Sequence, residues 1–138
     1  MKRFIAEAII YILHIFLCLF LKSYRIKQPR ILILRNNGLG DLLCTTPLFE
    51  LIKKKYPTSK VYVAIGSWHK DLLDNNPYID KVIRVNAPWH NQFTGDKKLF
   101  KILKFIFTSR KSYDVKKEKF DIGIDVVGSI WGTLFMMR

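Results

Sequence analysis

From residue 30 onward, short apolar runs alternate with longer stretches in which apolar residues recur every three or four positions. "RILIL" (30–34) is branched, continuous and too short for a helix, which predicts a strand buried on both faces. Residues 41–55 place Leu42, Leu43, Leu48, Leu51 and Ile52 on the apolar side of a helix. Pro47 inside it predicts a kink, or a restart with Thr46 as cap, and Pro57 closes it. "KVYVAI" (60–65) reads as a second strand, "SWHKDLLDN" (67–75) as a short helix opened by Ser67, and "DKVIRV" (80–85) as a third strand. A loop holding Pro88, Trp89, His90 and Gly95 leads to a helix at 96–109. "FDIGIDVV" (120–127) is a fourth strand, and "SIWGTLFMMR" starts another helix. Four alternations of strand and helix with short connectors predict an α/β fold, a parallel sheet with helices on both faces. The apolar helical pattern is still running at Arg138, with no Gly or Asn stop signal, and four strands leave a half-built sheet edge. The expectation is the first half of a longer protein.

The N-terminal segment has a different pattern. "FIAEAIIYILHIFLCLFL" (4–21) is nearly continuous hydrocarbon with basic flanks, Lys2 and Arg3 before it and Lys22, Arg25, Lys27 and Arg30 after it. Its length is at the lower limit for a transmembrane helix. Arg3, Glu7, Tyr11, His14, Cys18, Lys22 and Arg25 recur in steps of four and three, a polar stripe roughly 100° wide on a helix. Such a stripe suits a helix lying in the headgroup region; a bilayer span and a buried soluble helix are the alternatives. No small-residue cleavage site precedes "KSYRIKQPR", which argues against a signal peptide. If the segment spans, the heavier basic flank puts its C-terminal side in the cytoplasm. Residues 1–29 are therefore expected to be a membrane-associated helix, and 30–138 an α/β domain.

Charge sharpens that picture. The chain carries a formal +13, of which +5 falls in 1–30 and +6 in 96–119. Cations concentrated in two segments call for an anionic partner: acidic lipid, a phosphorylated substrate or nucleic acid. The two cysteines, Cys18 and Cys44, have no ligand spacing and predict no disulfide framework. No His, Cys or acid cluster has metal spacing, and nothing suggests a Ser-His-Asp or Cys-His arrangement.

Candidate chemistry concentrates in "RNNGLGD" (35–41), directly after the first strand, at the end of a parallel sheet where ligands bind. Gly38 and Gly40 permit close backbone approach, and the following helix offers free N–H groups. Leu43 occupies the place of the third glycine in a dinucleotide fingerprint, and no Gly-Lys-Ser/Thr follows for a P-loop. The turn ends on one carboxylate, Asp41. It either caps its own helix or acts as a general base toward an acceptor hydroxyl.

The stretch from Ile31 to Ile83 resembles the start of the family 9 glycosyltransferases, the lipopolysaccharide heptosyltransferase group. The resemblance rests on Arg35, Gly40, Asp41, Thr45, Thr46, Pro47, Pro57, Asn76, Pro77 and Asp80 in order, with Asp121, Ile124 and Asp125 extending it to about residue 135. It implies the Rossmann-like N-terminal domain of a two-domain GT-B fold. It implies an inverting, metal-free transfer of a hexose or heptose from a nucleotide-sugar to a lipopolysaccharide-core or related glycolipid acceptor. The domain here would receive the acceptor, with Asp41 as base. The nucleotide-sugar, a substrate rather than a cofactor, would sit on a C-terminal domain beyond residue 138. Several members carry a Ser or Thr pair where this chain has Asn36, Asn37 and Gly38, so acceptor contacts are expected to differ there.

The expected acceptor-binding residues are Arg35, Asn36, Asn37, Gly38, Gly40, Trp68 and His69. Trp89 and His90, after the third strand, share that edge and also suit a pocket or ordinary loop packing. In the 96–109 helix Leu99, Phe100, Leu103, Ile106 and Phe107 are expected to face the sheet, with Lys97, Lys101 and Lys104 opposite and Arg110 and Lys111 following. Those five cations either form a solvated face or meet an acidic membrane or phosphorylated glycolipid. Because the aromatics follow the helical period, no nucleic-acid partner is expected. The whole would work at the cytoplasmic face of the inner membrane. The competing reading is a membrane-anchored binding module or remnant without catalysis.

Overall fold

The computed structural model describes Ile12, Ile15 and residues 27–69, 71–89 and 98–137. The expected N-terminal membrane helix lies outside the described residues, apart from Ile12 and Ile15, which are helical and exposed. Among the described residues no helix is long and apolar enough to cross a membrane.

The order is β1 (Arg30–Leu34), α1 (Leu39–Lys55), β2 (Lys60–Ile65), a 3₁₀ turn (Ser67–His69), β3 (Lys81–Arg84), α2 (Leu99–Thr108), α3 (Arg110–Lys117), β4 (Ile122–Asp125) and α4 (Ile130–Met137). The four strands form one parallel sheet in the order β3-β2-β1-β4. Arg30 to Leu34 pair with Lys60 to Ala64 on one side, and Ile31 to Leu34 with Ile122 to Asp125 on the other. The chain steps outward from β1 to β3, then returns to lay β4 on the opposite side of β1. The strand order therefore reverses between β1 and β4, and in open parallel sheets the C-terminal rim at such a point is where ligands bind.

Both faces are covered, which is why β1 and β2 read as unbroken apolar runs. Against one face, Leu42, Phe49 and Ile52 of α1 pack with Ile31, Ile33, Val61, Val63, Ile65 and Leu73. Against the other, Ile102, Ile106, Val115 and Phe135 of α2, α3 and α4 meet Leu32, Leu34, Tyr62, Ala64, Val85 and Ala87. Each large side chain withdrawn in this way contributes about 1.5–3 kcal/mol.

Several local expectations change. α1 begins two residues early and continues through Pro47 without a restart. The proline cannot supply the N–H that the Leu43 carbonyl would accept, and the Thr46 hydroxyl donates to that carbonyl instead, at 2.8 Å. The Thr45 hydroxyl likewise donates to the Asp41 carbonyl at 2.8 Å. Phe49 and Thr45 turn inward while Leu43 and Leu51 are exposed, so the buried stripe of α1 is rotated from the expected one. The helix expected over 67–75 is one 3₁₀ turn followed by turns over 71–75. The basic helix ends at Thr108, and Ser109 starts α3 by accepting from the Ser112 N–H at 3.1 Å.

Charged groups tie the N-terminal rim together. Asp80 accepts from the Val61 N–H at 2.7 Å and pairs with Lys53 at 2.6 Å, joining α1, β2 and the approach to β3. Glu118 bridges Arg30 and Lys81, and Asp121 accepts from the Arg30 N–H at 2.8 Å. Asn76 accepts from the Tyr78 N–H to form the turn before Asp80. The Asn-Pro and Asp positions of this segment thus build the frame.

Candidate active site

The C-terminal rim gathers the end of β1, the first turn of α1 and the 3₁₀ turn after β2. Gly38 is the N-cap of α1 and supplies no side-chain cap, so Asp41 falls in the first helical turn. Its carboxylate has a different partner from the one a capping role requires. Asp41 Oδ1 lies 3.3 Å from Arg35 Nη2, and Arg35 Nε donates to the Asp41 carbonyl at 3.4 Å. Arg35 is 13 % exposed at its side chain and Asp41 51 %. A largely buried guanidinium thus holds a carboxylate that remains half open to solvent. Asp41 makes no hydrogen bond to a backbone N–H among the described residues.

Asp125, at the end of β4, is the counter-example. It accepts from the N–H of Val127 at 3.1 Å and of Ser129 at 2.9 Å, and from the Ser129 hydroxyl at 2.8 Å. Ser129 in turn accepts from the Gly132 N–H at 2.9 Å and starts α4. A Cβ on Gly132 would fall 2.0 Å from Asp125 Oδ2, so the helix closes directly over that carboxylate. Of the two acids that follow adjacent strands, one organises its own turn and the other stays accessible.

Around Asp41 the surroundings are open and partly unsatisfied. A Cβ at Gly40 would meet nothing within 4 Å, which leaves free space over the helix start. Asn36 is fully buried, and neither its Oδ1 nor its Nδ2 has a hydrogen-bond partner. Asn37 Oδ1 is buried without a partner as well, while the Asn37 carbonyl accepts from Trp68 Nε1 at 3.2 Å. The Trp68 ring lies so close over Gly66 that a Cβ there would fall 2.2 Å from the ring. His69 is buried with Nδ1 3.3 Å from the Gly66 carbonyl. A proton on Nδ1 would make Nε2 an acceptor, and Nε2 is buried with no partner. Unsatisfied buried polar groups are uncommon, and four such atoms at one rim mark a place where water or a ligand completes the structure.

The rim therefore brings together Asp41, Arg35, Asn36, Asn37, Gly38, Gly40, Trp68 and His69. Trp89 does not join them. It is 6 % exposed and packs at 5.9 Å from both Phe105 and Phe135, inside the core beneath α2 and α4. His90 and Lys97 lie outside the described residues. Lys101, Lys104, Arg110 and Lys111 are exposed on α2 and α3. Gly66 was not anticipated; its only signal is a glycine ending a strand just before a tryptophan. Among the described residues no group of three or more His, Cys, Asp or Glu could hold a metal ion.

No protein-family model matches the chain. A Haemophilus influenzae protein described as "Putative glycosyltransferase" is 34 % identical over 56 residues, which are 41 % of this chain and 16 % of that protein. The solved structure of a family 9 glycosyl transferase from Veillonella parvula superimposes with a TM-score of 0.57, at 23 % identity over 75 % of this chain and 27 % of that one. The Escherichia coli ADP-heptose lipopolysaccharide heptosyltransferase II superimposes with a TM-score of 0.59, at 16 % identity over 78 % of this chain and 27 % of that one. About three quarters of the chain thus shares the fold of these family 9 structures, and the match spans roughly a quarter of their length.

Proposed function

We propose that this domain is the acceptor-side half of a sugar-transferring enzyme, with Asp41 as its general base. The fold shared with family 9 glycosyltransferases supports sugar transfer. The observation that carries the base assignment is the half-exposed Asp41 carboxylate, steered by Arg35 and not engaged in capping. In this reading an acceptor hydroxyl enters over Gly38 and Gly40. As its oxygen attacks the anomeric carbon, the proton passes to an Asp41 oxygen and the bond to the nucleotide diphosphate breaks, inverting the centre. Arg35 aims the carboxylate, so the gain comes from placement against the hydroxyl. Asn36, Asn37, Trp68 and His69 offer the acceptor donors, acceptors and an aromatic face. The acceptor is a glycolipid of the lipopolysaccharide-core type, and the nucleotide-sugar occupies a second domain.

The test is Asp41→Asn in the full-length protein, with transfer from a nucleotide-sugar to the glycolipid as readout. The substitution keeps shape and removes basicity, so turnover should fall about 10²–10⁴-fold with the melting temperature unchanged. A rate within threefold of the parent's would remove Asp41 as the base.

A further inference from the structure

The face of α2 that packs on the sheet is rotated from the expected one and shares Ile106 with it. Ile102 and Ile106 point inward from α2, whereas Leu99 and Phe100 are 58 % and 76 % exposed. At 100° per residue, Phe100 lies well over a quarter-turn from the buried stripe. Phe100, with Phe107 (53 % exposed) about 20° from it, stands outward on a basic helix and is not explained by the core, while Leu99 is exposed at the first turn, about 20° from the direction of Ile106. Lys104 follows Phe100 at i+4 and is exposed beside it. α3 packs under the same layer through Ser112 and Val115, and turns Arg110, Lys111, Tyr113 and Lys117 outward. From 98 to 117 there are seven Lys or Arg and one acid, Asp114.

We propose that the outer surface of α2 and α3 docks on an anionic lipid bilayer, with Leu99 and Phe100 entering the headgroup–acyl boundary and Lys104, Arg110 and Lys111 contacting lipid phosphates. Exposed apolar residues flanked by cations on one layer are what an interfacial helix presents. Lys104 can lay its methylenes beside Phe100 and keep its ammonium among the headgroups. The charge is complementary to an acidic leaflet, and each such cation strengthens attachment about fivefold. A nucleic acid would use the cations but would leave the aliphatic Leu99 without a role. The proposal is independent of Asp41 and of sugar transfer.

The test must separate this surface from the apolar segment at 4–21. In the full chain with Cys18→Ser and Cys44→Ser, Phe100→Cys is labelled with an environment-sensitive fluorophore and compared with a Lys55→Cys control on α1. Vesicles containing phosphatidylglycerol should shift the position-100 emission to the blue and expose it to quenching by brominated acyl chains. Pure phosphatidylcholine should do neither, and the position-55 probe should respond to neither vesicle. The combined Lys104→Gln, Arg110→Gln and Lys111→Gln variant should need about 100-fold more phosphatidylglycerol vesicle for half the shift. Equal responses at positions 55 and 100, an unchanged vesicle requirement in the triple variant, or single-stranded DNA displacing the protein from vesicles would overturn the proposal. The Asp41→Asn variant should bind like the parent, so loss of sugar transfer and loss of lipid docking are told apart.

Discussion

Gly66→Ala isolates one contact at the rim. Gly66 does not have positive φ, so alanine fits its backbone and the perturbation is steric alone. The added Cβ would stand 2.2, 2.3 and 2.4 Å from Cζ2, Cε2 and Cη2 of Trp68. Carbon atoms settle at about 3.5–4.0 Å, so the ring has to retreat by more than about 1 Å. Its Nε1 bond to the Asn37 carbonyl, 3.2 Å long, does not survive that shift. Overpacking costs about 1–3 kcal/mol, and the half-buried ring can swing toward solvent, which favours the lower half of that range. The assay is urea unfolding of the parent, both single variants and the Gly66→Ala/Trp68→Ala double variant, with equal m-values required. Trp68→Ala removes the obstacle, so adding Gly66→Ala to it should cost almost nothing, a coupling of about 1–2 kcal/mol in the cycle. A Gly66→Ala variant as stable as the parent, or additive effects in the double variant, would falsify the placement of Trp68 over Gly66.

Two further substitutions test the frame. Burial disfavours an ionised Asp80, but hydrogen bonds from Lys53 and the Val61 N–H, with the charges of Lys53 and Lys60, outweigh it and hold the carboxyl below its usual range. A folded-state pKa below the unfolded one adds stability above about pH 4 that is lost as pH falls through the folded value, so acid should lower the urea midpoint less steeply in Asp80→Asn than in the parent. Thr46→Val removes the donor to the Leu43 carbonyl and should cost about 0.5–1 kcal/mol, measured by the same unfolding. With Pro47→Ala restoring the main-chain N–H, that cost should shrink toward zero; an undiminished cost would show that the threonine does not stand in for the proline's missing donor.

The strands were legible because burial on both faces writes itself as unbroken apolar runs, and all four lie within two residues of the expected bounds at each end. Helix facing was less legible. α2 is apolar around a wide arc, and its sequence cannot say whether Phe100 or Ile102 meets the sheet; the position of the sheet decides. Trp89 looked like a rim residue because it follows a strand, yet the gap between α2 and α4 takes it into the core. For Asp41, chain position alone left both capping and a base role open. Ser129, four residues beyond Asp125, was the available sign of a capping turn, and its counterpart after Asp41 is Thr45, which bonds a carbonyl instead.

The two rims of the sheet follow opposite rules. Where the strands begin, Asp80, Glu118 and Asp121 each meet a cation or a backbone N–H, and among the described residues of that rim only Arg30 Nε and Ser59 Oγ are buried without partners. Lys81 above all holds Glu118 below the usual carboxylate range against the opposing effect of burial. Where the strands end, Asn36, Asn37 and His69 keep buried polar atoms without partners, and Asp41 is steered rather than enclosed. A buried amide left unsatisfied costs about 1–3 kcal/mol, so evolution for stability alone would have replaced Asn36 with an apolar residue. Groups tolerated at such a cost gather on the rim where the strand order reverses, the end of a parallel sheet at which ligands generally bind, and the half-exposed Asp41 carboxylate stands beside them.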